Sequence, residues 1–201
     1  MASGYPLRLG DIDVPSSEAL YQACRFPHIP ALQYEIIKQK SPMSAKMVGK
    51  PHRQESRADW DLIRVRIMRW CLRVKLAQNW KRFGQALLET DDLAIVEWSR
   101  HDTFWGTVKQ PGGKLVGINA LGRLLMQLRS LLRESCQELV VVEPPRLPNF
   151  LLLERPIPVI RAPVEIVGKM AEDLATAAIP RSAETPDPLL FPEVHAIVRV
   201  R

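Results

Sequence analysis

Residues 59–80, DWDLIRVRIMRWCLRVKLAQNW, decide the fold class. Apolar Leu62, Val65, Met68, Leu72 and Leu76 recur at steps of three and four, while Arg64, Arg66, Arg69, Arg73 and Lys75 occupy positions between them. That spacing predicts an amphipathic helix of about five to six turns, with Asp59 as its cap. Upstream, PLRLGDIDVP (6–15) reads as a short hairpin turning at Gly10-Asp11. Ser16 and Ser17 offer N-caps for a helix SEALYQACRF that ends before Pro27, and a second helix fits residues 31–40. Pro42, Gly49 and Pro51 predict a loop over residues 41–58 with at most one turn around Ser44–Val48. Downstream, Asn79 is placed to cap WKRFGQALLET, residues 93–98 (LAIVEW) form a short β run, and residues 99–117 form a polar, aromatic, glycine-bearing loop. Asn119 then opens NALGRLLMQLRSLLRES, with Leu121, Leu124, Leu125, Leu128 and Leu132 in one stripe. The class is α+β and predominantly helical, with a small β element.

The 201 residues contain 46% hydrophobic and 25% charged side chains, the proportions of a folded globular chain. No apolar run approaches the roughly 18 residues that span a bilayer, so a membrane partner is not expected. Three scattered cysteines, Cys24, Cys71 and Cys136, do not make a disulfide framework, and the first ten residues do not read as an export signal. A reduced, cytoplasmic setting is expected. The net charge of +6 is uneven: residues 1–136 carry 21 Lys/Arg against 13 Asp/Glu, and residues 137–201 carry 7 against 9. A basic core attracts phosphate-bearing partners, although a solvated basic face would look the same. Ten of the 17 prolines fall between Pro144 and Pro192. The expected division is therefore a domain over 1–136 and a proline-rich C-terminal extension over 137–201. The extension is too apolar for a free linker and is expected to strap the core or cover a partner, with one short helix at 168–178.

Phosphate-loop and dinucleotide glycine patterns, the G-x-S-x-G elbow, H-E-x-x-H and paired C-x-x-C motifs are all missing from the sequence. No metal and no cofactor are expected. The residues that draw attention are polar ones in apolar or aromatic company. Lys46 lies between Met43 and Met47; desolvation there would make its amine a usable nucleophile or base, whereas a surface lysine would snorkel to water. Glu18 opens a helix, Asp59-Trp60 pairs a carboxylate with a large ring at a helix start, and Glu97 and Asp102 flank Trp98 and Trp105. Carboxylates beside rings suit a site that stacks a base and moves protons; they also suit ordinary caps and surface acids.

Read together, SSEALYQACRFP (16–27), SPMSAKMVGK (41–50), RADWDLIRVRIMRWCLRVKLAQN (57–79), LLETDDLAIVEWSRHDTFWG (87–106) and LVGINALGRLLMQLR (115–129) resemble the NADAR (YbiA-like) family of N-glycosidases, in the family's order. The resemblance implies hydrolysis of the C–N bond between a ribose and a base. Its implied site comprises Lys46, Glu18 and Asp102 as catalytic groups, with Asp59, Trp60, Glu97, Trp105, Gly106, Asn119 and Gly122 binding substrate. Lys46 would capture the ribosyl carbon, Trp60 and Trp105 would flank the base, and the Asn119–Gly122 helix start with Gly106 would offer backbone N–H groups to phosphate. Two substrate classes are implied. One is ADP-ribosylated guanine in nucleic acid, favoured by the basic core, which would make the protein an antitoxin to an ADP-ribosyltransferase toxin. The other is a phosphorylated ribosyl nucleobase of riboflavin synthesis. A non-catalytic module that binds ADP-ribose or the toxin is the alternative of a different class. Family members carry a Leu-Ser-Asn element ahead of the S-G-Y-P that stands here at residues 3–6; either the start is assigned too late or one wall of the site is lost, and its loss would weaken sugar binding or abolish activity.

Overall fold

A computed structural model describes residues 4–163, Gly168 and the strand Val198–Arg199. The expected hairpin forms from β1 (Leu7–Leu9) and β2 (Ile12–Val14), antiparallel, with Gly10 at φ +65° in the turn. Helix α1 (Ser17–Ala23) follows, and Ser16 Oγ accepts the Ala19 amide as its N-cap. Next come α2 (Pro30–Ile37) and α3 (Pro42–Gly49). The second of these corrects the loop expected over 41–58. Pro42 stands in the first turn, where its missing N–H costs nothing, and Ser41 caps the helix through the Ser44 amide.

The long helix is α4 (Trp60–Gln78). Met68, Leu72 and Leu76 of the expected stripe are buried, together with Ile67, Trp70, Cys71 and Val74, whereas Leu62 at the helix start is 89% exposed. Asp59 makes no side-chain cap and pairs instead with Arg57. Past α4 the chain makes a π-type turn over Trp80–Gly84 and a short α5 (Gln85–Leu88). Asn79 does not cap this segment; its amide reaches back to the carbonyls of Pro6 and Lys75. Strand β3 (Ile95–Val96) and the hairpin β4 (Val108–Lys109)–β5 (Leu115–Val116) precede α6 (Ala120–Glu134). All five leucines of the expected stripe on α6 are at most 5% exposed, and each contributes roughly 1.5–3 kcal/mol of gross burial energy.

After α6 the chain lies along the core. Strand β6 (Val141–Val142) pairs antiparallel with β9 (Ile160–Arg161), and between them β7 (Leu151–Leu152) and β8 (Arg155–Pro156) form a hairpin. Phe150 packs edge-on to Trp70 with ring centroids 5.1 Å apart. Fully buried Gln33 donates to the carbonyls of Ala23 and Leu151 and accepts the Leu153 amide, stitching this strap to α1 and α2. Strand β10 (Val198–Arg199) runs parallel to β3. The helix expected over 168–178 lies outside the described residues, apart from Gly168. The fold is α+β and predominantly helical, and among the described residues no helix is long and apolar enough to cross a membrane.

Candidate functional site

Helices α1, α3 and α4 and the loop after β3 enclose a cavity of about 870 Å³. An aromatic row forms one side of it. Trp60 meets Tyr21 at 5.0 Å between centroids, Tyr21 meets Trp105 at 5.6 Å, and Trp105 meets Phe104 at 5.1 Å. Both ends of the row carry a guanidinium: Arg25 sits 5.1 Å from the Trp60 ring and Arg64 sits 3.8 Å from Phe104. The rings meet tilted or edge-on, so the row is an aromatic wall with positive charge at each end, suited to contact a base joined to an anion.

Carboxylates and an amine share this cavity. Glu18 lines it from the first turn of α1 and holds the Gln22 amide at 2.8 Å. Asp102 shapes the following loop: its Oδ1 accepts the amides of Phe104 and Trp105, and its own amide donates to Ser99. Glu97 is more enclosed, and its Oε2 is buried without a hydrogen-bond partner among the described residues. Burial pushes the Glu97 carboxyl above the usual carboxylate range; Glu18 and Asp102 push the same way and Lys46 opposes them. The acid form is therefore favoured there relative to an exposed glutamate. Lys46 lines the cavity from α3. Its side chain is exposed, as are Met43 at 67% and Met47 at 51%, so the desolvation expected from its apolar neighbours does not occur.

The structure thus brings Glu18, Lys46, Trp60, Glu97, Asp102, Trp105 and Gly106 to one cavity and leaves Asp59, Asn119 and Gly122 outside its lining. Asp59 binds Arg57 through two contacts of 2.6 and 3.1 Å, and Arg57 also donates to the Pro148 carbonyl, so this pair ties the strap to the start of α4. Asn119, at φ +54°, acts as a false strand partner for β3: its amide donates to the Ile95 carbonyl and its Oδ1 accepts the Glu97 amide. A Cβ at Gly122 would stand 2.1 Å from the Ile95 carbonyl, and one at Gly106 would stand 2.5 Å from that of Glu97. These three residues hold the Glu97 backbone in place. The amides of Asn119, Ala120 and Leu121 are already bonded to the carbonyls of Gly106, Phe104 and Trp105, which corrects the expectation that this helix start receives phosphate.

Sequence reasoning missed Tyr21, Arg25, Arg53 and Arg64, all of which line the cavity. The excess of basic residues signalled positive charge; nothing in the spacing distinguished these arginines from the solvated ones on α4.

The NADAR domain family model matches residues 3–133. The chain is 38% identical over 120 residues to a riboflavin biosynthesis protein of Vibrio vulnificus, a match covering 60% of this chain and 31% of that one. It is 32% identical over 130 residues to N-glycosidase YbiA of Escherichia coli, covering 65% and 78%. A third relative, the chloroplastic riboflavin biosynthesis protein PYRR of Zea mays, is 34% identical over 125 residues, covering 58% and 19%. The chain thus spans less than a third of the length of both riboflavin proteins. The NMR structure of the E. coli protein YbiA matches with a TM-score of 0.55 at 32% identity, covering 67% of this chain and 76% of that one.

Proposed function

The chain belongs to the NADAR family, and from that premise we propose that its cavity hydrolyses the N-glycosidic bond between a phosphorylated ribose and a nitrogen of a nucleobase. The observation that carries the reading is Glu97: a carboxyl whose acid form burial favours, with an unsatisfied oxygen, in a cavity that also presents two more carboxylates, an amine and an aromatic row. Breaking the C1–N bond leaves electrons on the base nitrogen, and a proton from Glu97 neutralises them as they arrive. The ribosyl carbon must also be captured. Glu97 first protonates the ring oxygen as the C1–O4 bond opens to an iminium at the base nitrogen. The Lys46 amine adds to C1, its proton passes through Glu97 to the base nitrogen, the C1–N bond breaks as the base departs, and a Schiff base to Lys46 remains. Water activated by Glu18 or Asp102 hydrolyses it, returning the free amine and the sugar aldehyde, which closes to ribose. Trp60 and Trp105 flank the base.

The substrate we favour is ADP-ribose attached to guanine of nucleic acid, which would set the protein against an ADP-ribosyltransferase toxin. A cavity of about 870 Å³ has room for a dinucleotide-sized group, and the excess of basic side chains in residues 1–136 suits a polymer of phosphates. The second reading, a riboflavin-pathway intermediate, is favoured by the names of the Vibrio and maize relatives. Incubation with an ADP-ribosylated guanine oligonucleotide and, separately, with a ribosylaminouracil phosphate tests both. Release of ADP-ribose and intact guanine supports the first, release of ribose 5-phosphate the second, and binding without product leaves only a recognition module. Borohydride should trap a sugar adduct on the wild-type chain and none on Lys46→Ala; a fully active Lys46→Ala removes the covalent route.

A further inference from the structure

We propose that Arg25, Arg53 and Arg64 form a wall that grips a diphosphate, so that a phosphoanhydride rather than a single terminal phosphate is what the cavity is built to hold. The identity of the ligand rests on the glycosidase reading above; the wall itself rests on geometry. Arg25 leaves the end of α1, Arg53 lies on a short 3-10 turn and Arg64 lies on α4, yet all three line the same cavity. Two of them are pre-set as flat forks. Arg25 is stacked near Trp60 with its Nε bonded to Ser56 Oγ at 2.6 Å, which spends one of five N–H donors. Arg64 lies over Phe104 at 3.8 Å, and its Nε is buried without a partner among the described residues. Trp60 and Arg64 stand four apart on α4 and so share a face.

Three cations on one cavity wall gain from a counter-charge. Arg64 is paired with Asp61 at 3.6 Å, but Asp61 is 85% exposed and a weak partner in water. Among the described residues neither Arg25 nor Arg53 has a carboxylate within ion-pair distance. Burial lowers the Arg25 pKa, and repulsion from Arg53 and Arg64 adds to the effect. An anion would satisfy all three cations. Rigid planar forks match phosphate oxygens in pairs, and two linked phosphates present two such edges to a row of arginines. Since the amides of Asn119, Ala120 and Leu121 are already spent, this wall takes over the phosphate recognition that the family resemblance implied for them.

The test is calorimetric titration of the full chain with ADP-ribose, inorganic pyrophosphate and ribose 5-phosphate at one ionic strength, for wild type, Arg64→Gln and Arg53→Gln. Arg53 is exposed and bonded through its backbone only, so its variant folds even where Arg64→Gln does not. The expected result is ADP-ribose binding at least about tenfold tighter than ribose 5-phosphate, displaced by pyrophosphate, and weakened about tenfold by each substitution while ribose 5-phosphate is little changed. Equal affinity for the two sugars, equal loss of both ligands, or wild-type affinity in both variants overturns the wall. Turnover of ADP-ribosylated guanine in the same preparation keeps the two ideas apart. Discriminating binding without turnover upholds the wall and overturns the glycosidase; turnover without discrimination does the reverse.

Discussion

Glu97 draws its character from what surrounds it rather than from its place in the chain. Its backbone is pinned by the Asn119 side chain and by the close passage of Gly106, while its carboxyl is left in the cavity with an unpaired oxygen. If it is the proton donor, Glu97→Gln should lower kcat by about 10²–10⁴-fold. The pH profile carries the sign. A raised pKa carries the acid form to higher pH than an exposed glutamate would hold it, so kcat/KM should fall as pH rises through that pKa, and this limb should vanish in Glu97→Gln. Asn119 acts through Glu97 and is a positioning residue. Asn119→Ala strands the Ile95 carbonyl and the Glu97 amide, which should cost roughly 2–4 kcal/mol in denaturant titration. It should also move the pH limb, a change that stability loss alone would not produce.

At the level of elements, α4 carries both the site and its own burden. Lys75 is 1% exposed, with Nζ 4.1 Å from the Tyr5 ring centroid and 4.0 Å from that of Phe83. Burial lowers its pKa from the ordinary 10.5 to about 8, and the two ring faces return part of that cost. Between those values the unfolded chain holds a proton the folded chain has released, so stability should rise with pH from about 8 to 10.5, and the penalty is fully present below 8. Lys75→Met should stabilise the protein at pH 7 by roughly 2 kcal/mol and flatten this rise; urea titrations at pH 7 and pH 10 on both proteins measure it. What the sequence disclosed follows the same physics. The Ser16 cap, the Gly10 turn and the α6 leucine stripe are set by neighbours three or four residues away, and all were legible. The exposure of Leu62 and the stacking of Arg25 and Arg64 depend on partners remote in sequence, whereas α3 has local signals, the Ser41 cap and Pro42 in the first turn, that read as breakers in the sequence. For the same reason Glu18, Lys46, Glu97 and Asp102 were individually visible, while the use of Asn119 and Gly122 to orient Glu97 was not.

Among the described residues, a basic helical core surrounds a cavity of about 870 Å³ and is wrapped by a strap whose Phe150, Leu152 and Ile160 join the core. Its charge sets a further expectation. If the substrate is a nucleic acid, kcat/KM should fall steeply with salt, with a log–log slope of several, and the same ADP-ribosylated guanine as a free nucleoside should show a shallow slope. Equal slopes would assign the charge to solubility. The measurement that bears most directly on the account is mass spectrometry of the products formed in ¹⁸O-water from an ADP-ribosylated guanine oligonucleotide. The expected products are an unmodified guanine strand and ADP-ribose bearing solvent oxygen at C1, formed at a rate that collapses in Glu97→Gln and Lys46→Ala. Labelled oxygen on the base, or undiminished rates in both variants, would contradict it.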